Sequence, residues 1–374
     1  QFPHIDFIDH LLDAYVYFPS RGYREEVDAF LRKFGARCQY DRARDGIYYC
    51  GDTEERIAAR LSQLYGFTAP AVEPMKVSTK NSVYLVVVGD ADYVLKLFRE
   101  AGNHHRDQVA DHTRYEKDLI GQLRERGIIT PCIIEISPDV DAKVEELPAL
   151  LFERIDGSVQ QRPEYPIDRI APALAKIHLT QIKKPLNLDL NFTFDDICMI
   201  WLPQFAHYLA KRDFIPEIAA AFALLAPLVE PLHSGQCRGV FYAHSPSVHC
   251  HGDVTPKNVI IDNSGQVQFF DFNNAFYGPR IVDVIDGAFE FSLAEKYIHL
   301  ADFRRFDTFI EQYRQTADLN PEELADLSNW INLIGIIKFT KEVRVATDPS
   351  MTKPYNLRTK RALAIANFLE SHIQ

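Results

Sequence analysis

Apolar residues between positions 71 and 155 fall into short runs that are typical of strands. Residues 82–88 form one apolar run, residues 89–92 contain turn formers, and residues 93–98 return as a second strand. From about Asp107 to Arg126 the pattern changes to a helical period with one buried face. This region is predicted to be a small, mostly β unit with one helix.

The flanking regions read as helical. Residues 1–70 contain helical periods at 5–12, 23–34 and 54–66, with strand-like pieces around Tyr48 and Tyr49. We interpret them as an N-terminal α/β extension packed on the small unit. Beyond residue 155 the chain is again largely helical, so the expected class is α+β, with segments 1–70, 71–155 and 156–374.

One stretch of the sequence is predicted to bring three polar side chains close together. Residues 249–262 read HCHGDVTPKNVIID, a tight loop followed by an apolar strand, and a turn then leads to a second strand that ends at Asp271. The loop carries Asp253 and, five positions on, Asn258. These three side chains suit one task, an acceptor for a hydroxyl proton beside two oxygen ligands for magnesium-bound phosphates.

This stretch resembles the aminoglycoside phosphotransferase and choline kinase family. The resemblance rests on His251-Gly252-Asp253, on Asn258 and Asp271 at matching spacings, and on the segment 275–280 that follows. It implies a two-lobed protein-kinase-like fold, with a small β-rich N-lobe and a larger helical C-lobe. It also implies transfer of the γ-phosphate of Mg-ATP to a hydroxyl of a small molecule, with Asp253 as catalytic base and Asn258 and Asp271 holding Mg²⁺.

A lysine in the returning strand is the candidate phosphate contact. Lys96 lies among apolar residues, where an ammonium group needs an anionic partner. By resemblance, the partners are the α- and β-phosphates of ATP and an acid on the next helix. Glu116 is the preferred acid because it stands beside the apolar helix face, and Asp111 is the second choice.

Further nucleotide contacts are expected from two short segments. The loop that should cover the phosphates lacks glycine, so Lys80, Asn81 and Ser82 are predicted to contact them through side chains. The apolar run that ends near residue 157 resembles the hinge between lobes. Backbone groups near Glu153 and Ile155 are expected to hold adenine there.

Acidic residues that follow the metal-binding Asp are the candidate contacts for the acceptor. Asp283, Asp286 and Glu290 share a helix face, and residues 195–196 add two more acids. They would suit a cationic acceptor such as an aminoglycoside or an amino alcohol. A solvated helix face explains these acids equally well. Asp283 can instead cap its helix or brace the catalytic loop. A neutral sugar or an amino acid remains possible as the acceptor.

Composition excludes several classes. The net charge of −11 argues against non-specific nucleic-acid binding, and no apolar run reaches the length of a membrane span. The six cysteines show no zinc or disulfide pattern, and no secretory signal opens the sequence, so the cytoplasm is the expected compartment. The sequence gives no indication of the oligomeric state.

Two alternatives to a small-molecule kinase remain. One is an ATP-binding pseudokinase with a regulatory or structural role, favoured by the uncharged Asn273 and Asn274 after the metal-binding Asp. The other is a kinase acting on protein side chains. The short segment between Asp271 and Gly278 argues against it, because it leaves no room for a peptide-docking loop.

Overall fold

The computed structural model describes residues 38–41, 46–49, 54–77, 81–98, 109–136, 142–144, 147–158, 165–182, 194–210, 216–233, 244–293, 302–347 and 355–373. The helices predicted at 5–12 and 23–34 lie outside these residues. The chain divides into two compact units. The described part of the first runs to Arg114 and resumes at Cys132–Arg154, and the second contains Tyr115–Pro131 and the described residues from Ile155 onward.

The first unit is built on a five-stranded antiparallel sheet in the order β3-β4-β5-β7-β6, beside a separate β1-β2 pair. Its elements are β1 Cys38–Asp41, β2 Gly46–Tyr49, α1 Glu54–Tyr65, β3 Ala71–Val77, β4 Asn81–Val88, β5 Ala91–Phe98, β6 Lys143–Val144 and β7 Leu147–Glu153. Helix α2 (Val109–Glu125) begins in this unit and ends in the second. The predicted strand pair at 82–98 and the helix beginning at residue 54 are confirmed.

Strand alternation gives the sheet one face that packs on α1. Successive side chains of a strand point to opposite faces, and directly paired residues share a face. The buried core on the α1 side comprises Ile57, Leu61, Tyr84, Val86, Leu95, Leu97, Val144, Ala149 and Leu151. Lys96, between two of these core residues, therefore points to the opposite face, together with its pairing partners Val83 and Leu150.

The second unit is mainly helical and contains three short antiparallel pairings. Strand β9 pairs with β12, and β10 pairs with both β11 and β8. Its elements are β8 Gly157–Ser158, α3 Ile167–Leu179, α4 Phe194–Ala210, α5 Pro216–His233, β9 Ser247–Cys250, β10 Val259–Asp262, β11 Val267–Phe269, β12 Phe276–Pro279, α6 Arg280–Ser292, α7 Arg304–Arg314, α8 Pro321–Ala325, α9 Leu327–Thr347 and α10 Tyr355–Ile373.

Helix α9 forms the centre of this unit. It packs against α4, α5, α6 and α10, and its residues from Trp330 to Val343 are largely buried. Because helices pack against several of its faces, its apolar residues are not confined to one stripe, which explains its weak amphipathic pattern. Among the described helices, none is long and apolar enough to cross a lipid bilayer.

Candidate active site

Two strand pairings in the second unit bring the predicted catalytic residues to one end. Strand β9 leads into the loop 251–258, and β10 leads out of it. Because β10 pairs with β11 and β9 pairs with β12, the segment 270–275 that joins β11 to β12 returns beside the loop. Phe270 N–H donates to the Asn258 carbonyl at 3.1 Å, which fixes the two segments side by side.

Asp253 and Asn258 are in direct contact. The Asn258 side-chain amide donates to the Asp253 carboxylate (Nδ2–Oδ2, 2.8 Å) and to the Asp253 carbonyl (Nδ2–O, 3.0 Å). The backbone between them is tightened by Thr255 N–H donating to the Asp253 carbonyl at 2.9 Å. The amide therefore sets the orientation of the carboxylate.

Asp271 lies in an unusual backbone conformation directly after β11. Its φ of 63° and ψ of 60° belong to the left-handed region, which costs a residue with a side chain about 1–2 kcal/mol. Neighbouring His251 supports this segment, since its Nε2 contacts the Phe270 carbonyl at 3.0 Å. Such strain is retained where the surroundings impose it, often at functional sites.

Gly252 is required by the close approach of two backbones. Its φ is +77°, and a Cβ atom added there would lie 1.9 Å from the Asn274 carbonyl oxygen. Any side chain would thus force the catalytic loop away from the segment after Asp271. The glycine of the His-Gly-Asp motif keeps these two segments in contact.

Asp283 anchors the catalytic loop from within helix α6. Its carboxylate is completely buried and accepts the backbone N–H groups of His251 and of Gly252, the second at 2.9 Å. His178 Nε2 contacts the same carboxylate at 3.2 Å, and His178 Nδ1 contacts the Tyr313 hydroxyl at 2.9 Å. His178 is thus a buried residue held by two side-chain contacts.

The spacing of ligand atoms around Asp283 would fit a metal ion, but the chemistry of these residues disfavours one. Ligand atoms of His178, Cys250 and Asp283 lie within 4.8 Å of one another. Burial, and then the nearby Asp283 charge, raise the pKa of the Cys250 thiol well above its ordinary value, so a thiolate ligand is disfavoured. Since His178 and Asp283 are already hydrogen-bonded, this cluster braces the loop.

In the first unit Lys96 lies on the central strand β5 and is buried. Its ammonium group lies 4.6 Å from the centre of the Phe98 ring. Asn81 pairs with Phe98 and shares this face, whereas Ser82 is fully buried on the α1 face beside Tyr84. That placement does not support the predicted phosphate contact of Ser82, because strand alternation turns it to the core. Lys80 lies outside the described residues.

The remaining predicted nucleotide contacts, on α2 and at the hinge, differ in burial and in hydrogen bonding. Glu116 on α2 is buried, whereas Asp111 is exposed and paired with Arg114 at 3.2 Å, which favours Glu116 as the buried acid. At the predicted hinge, Glu153 N–H donates to the Cys132 carbonyl at 2.9 Å. Within the described residues, no backbone carbonyl accepts the N–H of Ile155.

Comparison with known proteins decides the family. A sequence model of the phosphotransferase enzyme family matches residues 71–327, well over half of the chain. The chain belongs to the phosphotransferase enzyme family. The sequence matches no curated protein. The family confirms the predicted enzyme class, a small-molecule kinase.

Solved structures show the same fold at low sequence identity. An ethanolamine kinase from Plasmodium vivax is 17% identical, covering 84% of this chain and 90% of its own, with a TM-score of 0.54. An amicoumacin kinase solved with AMP-PNP and Ca²⁺ is 15% identical, covering 86% and 94%, with a TM-score of 0.57. A spectinomycin phosphotransferase solved with ADP and spectinomycin is 14% identical, covering 85% and 98%, with a TM-score of 0.54. The predicted α+β kinase-like fold is thereby confirmed.

The three acids predicted for the acceptor do not form one open surface in this phosphotransferase. Asp283 is buried against the catalytic loop. Asp286 and Glu290 both pair with Lys338, at 2.8 and 2.7 Å, and Glu290 also pairs with Arg361 at 3.1 Å. Burial alone would raise the pKa of Glu290, but these two cations hold it well below its ordinary value. The interpretation of Asp283 as a brace fits the structure better than a substrate contact.

Two residues outside the predicted site, Lys341 and Trp201, lie in contact with each other. Lys341 on α9 lies with its ammonium 5.3 Å from the centre of the Trp201 ring on α4. Burial lowers the pKa of the Lys341 ammonium group, and the charges of Asp286 and Asp253 oppose that shift. No local pattern marks either residue, because each acts through helices distant in sequence.

Proposed function

We propose that this phosphotransferase moves the γ-phosphoryl group of Mg-ATP to a hydroxyl group of a small molecule. The observation that carries this proposal is the orientation of the Asp253 carboxylate by the Asn258 amide at 2.8 Å, within a loop anchored to the buried Asp283. Phosphoryl transfer asks a protein chiefly for positioning and for charge neutralisation. A carboxylate oriented by an amide, in a loop braced by a buried acid, meets the first requirement.

Asp253 is assigned the role of base. Its carboxylate is partly exposed, so an acceptor hydroxyl can reach it, and its orientation is set by Asn258 rather than by solvent. It would accept the hydroxyl proton as the oxygen attacks the γ-phosphorus. His251 is not suited to that role because it is buried, with Nε2 on the Phe270 carbonyl and Nδ1 accepting from Asp253 N–H at 3.3 Å.

Asn258 and Asp271 fit a magnesium ion. Asn258 directs Nδ2 to two oxygens of Asp253, and among the described residues no donor reaches its Oδ1. Mg²⁺ prefers oxygen ligands, and the amide oxygen and the Asp271 carboxylate are of that kind. When bound, the ion neutralises phosphate charge. Asp271 supplies its carboxylate from a left-handed backbone conformation directly after β11.

Lys96 is assigned to the α- and β-phosphates of ATP, with Glu116 as its acidic partner. Both side chains are buried, and Asn81 shares the sheet face of Lys96. Adenine would be held by backbone groups at Glu153 and Ile155, chiefly by the N–H of Ile155 because that of Glu153 is already bonded to Cys132. The ADP and AMP-PNP named for two of the similar structures above support the use of a nucleotide.

The experiment is an assay of magnesium-dependent ATP consumption against a panel of amines, sugars, hydroxy acids and amino acids. An active enzyme consumes ATP with a subset of acceptors, and Asp253→Ala abolishes the transfer while ATP binding stays nearly unchanged. Asp307→Ala, at an exposed position on α7, serves as the control. Turnover retained in Asp253→Ala would refute the assigned base.

The same assay separates a catalyst from a pseudokinase. Asn273, buried two residues after Asp271, carries no charge where a second acid would strengthen metal binding. ATP binding without consumption against the whole panel would favour the regulatory alternative. Consumption with any one acceptor would exclude it.

A further inference from the structure

Three basic residues recur every three positions along helix α9, at Lys338, Lys341 and Arg344. Residues at this spacing lie on neighbouring turns of one helix face. Trp201 on α4 receives two of them, with the Lys341 ammonium 5.3 Å and the Arg344 guanidinium 5.6 Å from its ring centre. A cationic cluster therefore faces an aromatic ring.

The acids near this cluster are already neutralised by other bases. Lys338 bridges Asp286 and Glu290, and Arg361 adds a second cation to Glu290. Arg361 and Arg358 both pair with Glu342, at 2.8 and 2.7 Å. The network thus contains as many bases as acids, namely Lys338, Arg358 and Arg361 against Asp286, Glu290 and Glu342. Within the described residues, this network therefore offers no unpaired acid to Lys341 or to a cationic ligand.

Lys341 does not take part in this network of ion pairs. In the described part of the chain it has neither a hydrogen bond nor an ion pair, although it is partly buried. Burial lowers the pKa of its ammonium group, and the Asp286 and Asp253 carboxylates oppose that shift. Geometry places this face of α9 near the catalytic loop: Lys338, one turn away, pairs with Asp286 on α6 at 2.8 Å. A Cβ atom added at Gly287, the next residue of α6, would lie 2.8 Å from Val254, which follows the candidate base. A partly buried cation without a paired anion is costly to maintain unless a ligand supplies the anion.

We propose that Lys341, lying against Trp201 near the Asp253 loop, binds a carboxylate of the acceptor, so that the acceptor is a hydroxy acid or hydroxy amino acid. This inference rests on the proposed function, because it identifies the substrate class of that site. One ammonium matches the single charge of a carboxylate, and a charged hydrogen bond of this kind is strong. Asp253 would then receive the proton of the hydroxyl on the same molecule.

A cationic acceptor fits this place poorly. An aromatic ring can bind a ligand cation, but Trp201 already has two protein cations within 6 Å of its centre. A ligand ammonium at the same ring would be repelled by both. The acid face that could have attracted it is balanced by Lys338 and Arg361.

The test compares acceptors that differ only in charge. D-Glycerate, 3-hydroxybutyrate, L-serine and L-homoserine are assayed with Mg-ATP against their amides, which lack the carboxylate charge, and against the matching amino alcohols. Binding is measured separately through tryptophan fluorescence, because the chain has two tryptophans and Trp330 is fully buried. Trp201→Phe shows which part of the signal comes from the ring beside Lys341.

Variants at residue 341 separate charge from packing. Lys341→Met keeps the apolar stem and removes the charge, Lys341→Arg restores the charge, and Lys176→Met changes an exposed lysine on α3 as the control. We expect Lys341→Met to lower kcat/KM for the acids about 10- to 100-fold, mainly through KM, and to leave the amides unchanged. Lys341→Arg should recover most of the loss.

The outcomes distinguish this inference from the proposed function. Preferred phosphorylation of the acids, lost in Lys341→Met, supports both. Amides or amino alcohols that react as well as the acids overturn the carboxylate assignment and leave the kinase assignment intact. If no compound is phosphorylated, the proposed function is contradicted for this panel. The fluorescence measurement then tests the carboxylate site independently: acids that do not change the Trp201 fluorescence overturn it.

Discussion

The Asp283 carboxylate accepts the backbone N–H of Gly252 at 2.9 Å, from a position 31 residues further along the chain. Its other oxygen accepts the N–H of His251. Two consecutive peptide groups of the catalytic loop are thus fixed by one buried acid on α6. The geometry of Asp253, the next residue, therefore depends on a side chain of helix α6.

Replacing Asp283 by Ala should impair both stability and rate. Two buried N–H donors would lose their acceptor, at about 1–3 kcal/mol each, so we expect the free energy of unfolding to fall by about 2–5 kcal/mol. Displacement of Asp253 should lower kcat about 100-fold in the molecules that remain folded. Chemical denaturation and initial rates measure the two effects. A variant with wild-type kcat would contradict the bracing role.

Gly252→Ala tests whether the close approach to Asn274 is required. The matched control is Gly127→Ala, because Gly127 has a φ of +78° and nothing within 4 Å of an added Cβ atom. The control should lose about 1–2 kcal/mol from the positive φ alone. Gly252→Ala should lose more and should also lose transfer activity, since its Cβ would displace the loop. Equal losses of stability and activity in the two variants would show that steric contact is unimportant.

Asn258 has two assigned roles that different substitutions separate. Asn258→Ala removes both the donor to Asp253 and the proposed metal ligand, so we expect kcat to fall about 100-fold and the Mg²⁺ concentration for half-maximal rate to rise. Asn258→Asp keeps an oxygen ligand but places a second carboxylate against Asp253. It should retain Mg²⁺ dependence near that of the wild type while losing rate. Steady-state kinetics over a Mg²⁺ titration measure both, and unchanged Mg²⁺ dependence in Asn258→Ala would argue against metal ligation.

Sequence patterns predicted those parts of the site in which residues close in sequence contact one another. The spacing of Asp253 and Asn258 lies within one loop, and the strand pair before Asp271 is a hairpin closed by a short turn, so neighbouring residues determine both. The burial of Lys96 likewise followed from its apolar neighbours. Ser82 was assigned to the phosphates although it alternates in step with Tyr84 and Val86, and this periodicity already placed it on their face.

Long-range partners explain what the sequence could not provide. The His178 and Asp283 side chains meet across 105 residues, and Lys338 reaches Glu290 across 48. No helical or strand period contains such information, because tertiary packing decides which faces meet. The acids on α6 therefore looked like a free surface in sequence, whereas helices α9 and α10 supply their counter-charges.

Asp262, at the end of β10, provides a prediction with a defined pH window. Its carboxylate accepts from Ser264 Oγ at 2.6 Å and from the backbone N–H groups of Ser264 and Gln266, both at 2.9 Å. The Ser264 hydroxyl first, then Gln266 N–H, lower the pKa of Asp262 to about 2. The unfolded value is about 3.9, so the ionised form is favoured by folding.

A lowered pKa in the folded state gives stability that is present above the unfolded pKa and is lost as the pH falls through the folded pKa. Asp262→Ala removes that contribution. The difference in unfolding free energy between wild type and variant should therefore be constant above pH of about 5 and should shrink as the pH falls from about 4 towards 2. Denaturant titrations of both proteins at several pH values measure it. A difference that stays constant down to the lowest accessible pH would mean that the turn does not depend on the Asp262 charge.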